Sequence, residues 1–275
     1  LTFAIGAASH GSQRWISIGP FSLQPSELAK IGIILFLAAY ISSKSREMRQ
    51  WKKMVIPFLF AIPIIVIVGI ENLSTCIILL AISFIMIFVA TPLWVPFVVI
   101  GLIGVAGAGG LLLTQGYRME RITVWLDPAA SEKGHQTIQG LYAIGSGGLF
   151  GKGLGQSMQK LGFLPEANND MIFSVICEEL GLFGALCVLA LFFALIWRFM
   201  VIAVNAPDLY GSMIVVGVIA HIGIQVFINI AVATNTIPNT GIPLPFISYG
   251  GSSLVFMLLE MGEKDGGKKF KTCGR

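Results

Sequence analysis

Long apolar runs separated by short polar connections dominate the chain. Pro25 to Ser43, Met54 to Ile70, Leu73 to Ala90, Val95 to Leu113, Met171 to Met200 and Gly211 to Ala233 each approach or exceed the roughly 20 residues that carry a helix across a bilayer. A seventh run opens at ISYGGSSL and breaks off near Glu260, short for a span. Leu1 to Ala8 is apolar but far too short to cross, and reads as the last turns of a helix that begins before Leu1. The pattern predicts an all-α, polytopic helical membrane protein of about seven spans, one domain over residues 1–275, with a large extracytoplasmic loop at 114–170.

Side assignment follows the charges. Lys44, Arg46, Arg49, Lys52 and Lys53 cluster after the first span and the tail EKDGGKKFKTCGR is also basic, so both belong on the cytoplasmic side. Alternation then places the 114–170 loop outside. Composition agrees: of 275 residues, 55% are hydrophobic and 12% charged, which excludes an ordinary soluble domain. The net charge of +4 is small, and no nucleic-acid partner is expected from it. Cys76, Cys177 and Cys187 lie in apolar spans and Cys273 in the tail, so the cysteines read as packing residues rather than a disulfide framework.

Polar groups at or inside the spans carry the candidate chemistry. Asp170 stands where the polar loop turns into the fifth span. A helix N-terminus favours its carboxylate form and partial desolvation opposes it, and both outcomes stay open. Glu178 and Glu179 lie about 12 Å further along the same helix, either as structural partners of basic residues or as part of a site. Glu27 and Lys30 share a helix face and can pair, as a cap or as cavity-lining ions. Arg118 and Arg121, with Lys133, Lys152 and Lys160, make the loop basic. Phosphate binding and a cationic rim for lipid headgroups both fit. His221, Gln225 and Asn229 recur four apart as a polar stripe that must face the bundle interior or a wet cavity. TNTIPNTGIPLPF is too irregular to touch lipid.

GSGGLFGKGLG tempts a phosphate-loop reading, yet Ser146 replaces the first Walker glycine and Gly153 follows Lys152, so the motif fails at both ends. Tight turns and close backbone approach remain as its account.

QRWISIG with QPSELAK, WLDP with GHQTIQ, GSGGLFGKGLGQSMQKLGFLPEANNDMIF with EELG, and TGIPLPFISYGGSS agree in order and spacing with one family. The chain resembles the SEDS proteins (shape, elongation, division, sporulation), with the division branch nearest. ENLST and His135 depart from the usual pattern. The resemblance implies a bundle of about ten helices, with about seven represented here, and a peptidoglycan glycosyltransferase that polymerises lipid II at the outer face of the bacterial cytoplasmic membrane. A lipid II transporter and a non-catalytic division scaffold are the alternatives. Asp170 matches the family's essential aspartate and is implied as catalytic base. Glu27 and Lys30 match cavity positions, while Arg14, Arg118 or Arg121 are implied to offset pyrophosphate charge. Lys160, Glu166, Glu178 and Ser248 complete the expected substrate-binding set. A divalent cation (Mg or Mn) is expected to assist without tight binding. A class B penicillin-binding protein, other division proteins and the bilayer are the expected partners.

Overall fold

The computed structural model describes residues 7–9, 12–18, 21–45, 47–91, 99, 101, 107, 110, 116–131, 134–249, 254–258 and 260; side chains are not described for residues 7–23, 49, 51, 52, 71 and 116–120. Two compact units are present: residues 1–104, 198–224 and 251–275 form the first, and residues 105–197 and 225–250 the second.

The first unit opens with a small antiparallel sheet, β1 (Ala7–Ser9), β2 (Ser12–Ile18) and β3 (Phe21–Leu23), with Ser17 paired to Ser22. This corrects two expectations. Ala7 and Ala8 belong to a strand rather than a helix end, and Arg14 and Trp15 lie in β2 rather than in a loop. Alternation over so few residues is a weak signal beside strong helical periodicity downstream.

Helices α1 (Pro25–Ser43), α2 (Trp51–Glu71) and α3 (Leu73–Ala90) follow. Pro25 suits the start of α1, where its missing N–H costs nothing. Asn72 ends α2 and caps α3, its side chain accepting from Thr75 N at 3.2 Å. α3 packs on both α1 and α2, and Leu37, Leu79, Ile82 and Met86 are fully buried. Pro57 and Pro63 stay inside α2, whose Leu59, Phe60, Val66 and Ile67 are more than half exposed. On a membrane-length helix such residues face lipid.

The second unit contains α4 (Gly116–Leu126), α5 (His135–Gly147), most of α6 (Ile172–Val204) and the end of α7 (Leu209–Ala233). Five of the described helices are long and apolar enough to span a membrane: α1, α2, α3, α6 and α7. The chain is therefore a multi-pass membrane protein. Most of the expected span at 95–113 lies outside the described residues, as do Lys133 and the basic tail; the last run is described as helix at 254–258 and 260.

α6 is not the uninterrupted span the hydropathy predicts. It breaks at Gly181, with φ 68° and ψ −168°. The glycine-rich loop after α5 repairs the break. Lys152 N and Gly153 N donate to the carbonyls of Glu178 and Glu179 at 2.9 Å each, while Leu182 N and Phe183 N donate to Gly148 O and Leu149 O at 2.9 and 3.1 Å. Backbone groups freed by the break thus find partners within the protein. The approach requires glycine on both sides. A β-carbon on Gly151 would meet Glu179 O at 2.2 Å, and one on Gly181 would meet Gly151 N at 2.4 Å.

Candidate active site

The site is built in the second unit, around the junction that precedes α6. Gly134 places α5: a β-carbon there would lie 1.9 Å from Pro128 O, so only glycine lets the chain turn so close. His135, whose Nε2 lies 3.0 Å from Phe163 O, then anchors the first turn of α5 to the following loop. Gln136 is carried inward as a result.

Asp170 is held from behind. Its carbonyl accepts from Asn229 Nδ2 on α7 at 2.8 Å, and the same amide donates to Ile242 O at 2.9 Å. Ser248 Oγ donates to Asn169 O at 2.6 Å and accepts from Leu244 N at 2.7 Å, while Tyr249 N donates to Asn168 O at 2.8 Å. The proline-broken 234–249 segment is thereby stitched to residues 168–170, which leaves the Asp170 side chain pointing into a pocket of about 390 Å³. Arg121, Trp125, Gln136, Glu166 and Asn239 line the same pocket.

Asp170 is 6% exposed. Gln136 Nε2 donates to Oδ1 at 3.4 Å, Asn239 Nδ2 donates to Gln136 Oε1 at 3.0 Å, and Gly241 N donates to Asn239 Oδ1 at 2.9 Å. Burial pushes the carboxyl up from its ordinary 3.8 to about 6, with help from the charge of Glu166 and against its own backbone N–H and the amides of Asn239 and Gln136. Desolvation thus outweighs the helix terminus. Glu166 adopts a left-handed backbone, φ 55°, and its side chain meets Asn169 Nδ2. Such a conformation in a residue other than glycine is typical of functional loops. Arg121 Nη1 donates to Asn239 O at 3.1 Å, keeping a cation at the pocket wall.

The structure sorts the predicted residues. Arg121, Glu166 and Asp170 share the pocket. Lys160 and Glu178 do not line it and serve the repaired break in α6. Fully buried Glu178 accepts from Lys152 Nζ at 2.7 Å, Ser157 Oγ at 2.5 Å, and the backbone N–H groups of Met158 and Gln159 at 3.3 Å. Lys160 pairs with Glu179 at 3.0 Å. Glu178 thus has the basic partner that its structural reading expects. Ser248 is a brace behind Asp170 rather than a lining group. Glu27 and Lys30 form a buried pair at 2.9 Å within the first unit. The side chains of Arg14 and Arg118 lie outside the described residues.

The polar stripe on α7 does face the interior. His221 and Gln225 are 1% exposed and Asn229 is not exposed. His221 Nδ1 lies 2.9 Å from Glu260 Oε2 in the first unit, a contact that spacing does not reveal. Gln136 and Asn239 line the pocket without having been singled out from the sequence, where their one signal was their place inside GHQTIQ and TNTIPNTGIP.

Comparison with known proteins agrees with this architecture. The FtsW/RodA/SpoVE family model, described as a cell cycle protein, matches residues 1–262. The chain belongs to this family. It is 47% identical over 264 residues to stage V sporulation protein E of Bacillus subtilis, covering 94% of this chain and 72% of that protein. A probable peptidoglycan glycosyltransferase FtsW of a Geobacter species is 36% identical over 262 residues, covering 94% and 71%. Among solved structures, Thermus thermophilus RodA matches with TM-score 0.65 at 27% identity, covering 96% of this chain and 71% of that one. A component of a peptidoglycan synthase complex, described as coordinating polymerization and crosslinking, matches with TM-score 0.77 at 26% identity, covering 96% and 75%. Membership in FtsW/RodA/SpoVE is the resemblance the motifs carried.

Proposed function

We propose that this FtsW/RodA/SpoVE-family chain is a peptidoglycan glycosyltransferase that polymerises lipid II at the outer face of the bacterial cytoplasmic membrane, beside a class B penicillin-binding protein and other division proteins. One observation carries the reading: Asp170, a buried carboxylate whose proton affinity is raised to about 6, opens into a pocket at the start of a membrane-length helix. A general base works best with a pKa near the operating pH. The names of the FtsW relatives and the synthase complex point the same way.

Asp170 accepts the proton of the acceptor sugar's 4-hydroxyl as that oxygen forms a bond to the anomeric carbon of the donor. The anomeric carbon–oxygen bond to phosphate breaks, and undecaprenyl pyrophosphate leaves with the bonding electrons. The proton passes from Asp170 to water. General-base assistance of this kind is worth about 10²- to 10⁴-fold. Arg121, at the pocket wall, is placed to offset charge on the departing pyrophosphate. Among the described residues no three His, Cys, Asp or Glu side chains converge as a metal site, so no step is derived through the divalent cation that pyrophosphate chemistry invites. The position of Asp170 before Ile172, outside the apolar part of α6, favours synthesis over transport, which prefers groups near the bilayer midplane.

The test is glycan-chain formation from purified lipid II by the full-length protein with its class B partner, wild type against Asp170→Ala. Loss of polymer in a variant that folds and binds its partner supports the reading. Undiminished polymer removes Asp170 from the chemistry.

A further inference from the structure

We infer that Gln136 and Asn239 are positioning residues for Asp170, a two-amide relay whose polarity is set by the backbone N–H of Gly241 and which delivers a donor to one carboxylate oxygen. The inference rests on the proposed role of Asp170 and assigns the pair that holds it ready.

The direction of the relay follows from what each group is able to do. Gly241 N–H only donates, and it lies 2.9 Å from Asn239 Oδ1. That contact turns the other end of the amide, Nδ2, away from Gly241. An NH₂ group only donates, so Gln136 presents Oε1 to it, at 3.0 Å. Gln136 Nε2 is then the end left for Asp170 Oδ1, at 3.4 Å. Either amide, flipped alone, would set like against like at two contacts. Gly241 aims its N–H from φ 67°, a left-handed conformation that glycine adopts without strain.

The consequence is chemical as well as geometric. A donor on a carboxylate favours its ionised form, opposing the burial of Asp170 and the charge of Glu166. It also fixes the carboxylate plane. The charged groups that share the pocket with Asp170 are Glu166 from the preceding loop and Arg121 from α4; the 235–241 segment contributes the amide side chains of Asn235 and Asn239 and the backbone of Gly241. Asn239 is itself anchored through its carbonyl by Arg121. The relay therefore ties the base to the cation at the pocket wall.

The experiment is the pH dependence of kcat for glycan synthesis from lipid II, using the full-length protein with its class B partner. Gln136→Met, similar in length but without an amide, is expected to move the acid limb upward by about one pH unit while KM changes less than about threefold. Asn239→Asp keeps an acceptor for Gly241 and removes the donor, so the Gln136 amide turns its oxygen towards Asp170; its limb is expected to move further up. A purely structural role would lower kcat evenly at every pH. An unmoved limb in whichever of the two variants retains the wild-type thermal midpoint overturns the inference. Asp170→Asn, run alongside, separates the two ideas: full activity there defeats the proposed function itself, whereas an inactive Asp170→Asn with unmoved limbs defeats only the relay.

Discussion

Asp170 and Glu178 are both carboxylates, both almost wholly removed from solvent, and only eight residues apart in the same unit. Their surroundings differ in kind. Glu178 receives four donors, among them a lysine, and closes the break in α6. Asp170 is met only by neutral donors, its own backbone N–H and the amides of Asn239 and Gln136, the last at a long 3.4 Å; it lies near a second acid and opens into a pocket. A saturated buried carboxylate has no capacity left for substrate and serves the fold. A buried carboxylate held only by neutral donors, with a proton affinity near neutrality, is suited to the chemistry proposed for it.

The largest effect that sharpens this contrast is on activity. Asp170→Ala is expected to lower glycan synthesis by about 10²- to 10⁴-fold without lowering the thermal midpoint, as read by product gels and melting in detergent. On the other side, Lys152→Met leaves Glu178 charged, buried and without its cation. Because the lysine end of the pair is 37% exposed and Glu178 keeps three other donors, a stability loss on the order of 1 to 2 kcal/mol is expected, with activity per folded molecule kept.

The folded carboxyl of Asp170 titrates at about 6, above its ordinary 3.8, so ionising it in the native state is costly. The contribution of this group to stability is full below that ordinary value, and about 3 kcal/mol of it is lost as pH rises from there through about 6. Asp170→Asn does not titrate, so it is expected to melt higher than wild type above pH 6 and to lose that advantage below pH 4. A constant difference across pH would contradict the desolvated carboxylate. A comparably small effect belongs to Ser248→Ala, which strips Leu244 N of its acceptor and Asn169 O of a donor, at about 1 to 2 kcal/mol. Its activity loss should follow from misplacement of residues 168–170, seen as lower kcat with an unshifted acid limb.

Much of this was legible in the chain. The apolar runs placed α1, α2, α3, α6 and α7, because lipid leaves the backbone few alternatives to helix. Asp170 stood out as a carboxylate at the edge of a span. The glycines of GSGGLFGKGLG were correctly expected to serve close backbone approach, as Gly147 and Gly151 do. What stayed hidden depends on long-range partners. Nothing in EELGLFG announces that Gly181 leaves the helical conformation, since hydropathy is blind to φ. Nor does spacing say that Lys152 takes Glu178 and Lys160 takes Glu179. Gln136 and Asn239 are ordinary amides until the fold brings them together over 103 residues of chain.

The most direct test of the central claim is glycan synthesis per folded molecule by Asp170→Asn beside Lys152→Met in one assay. Asp170→Asn is expected to melt higher than wild type at pH 7.5 and to make no polymer, whereas Lys152→Met is expected to melt lower and to polymerise at the wild-type rate per folded molecule. Wild-type polymer from Asp170→Asn would contradict the central claim.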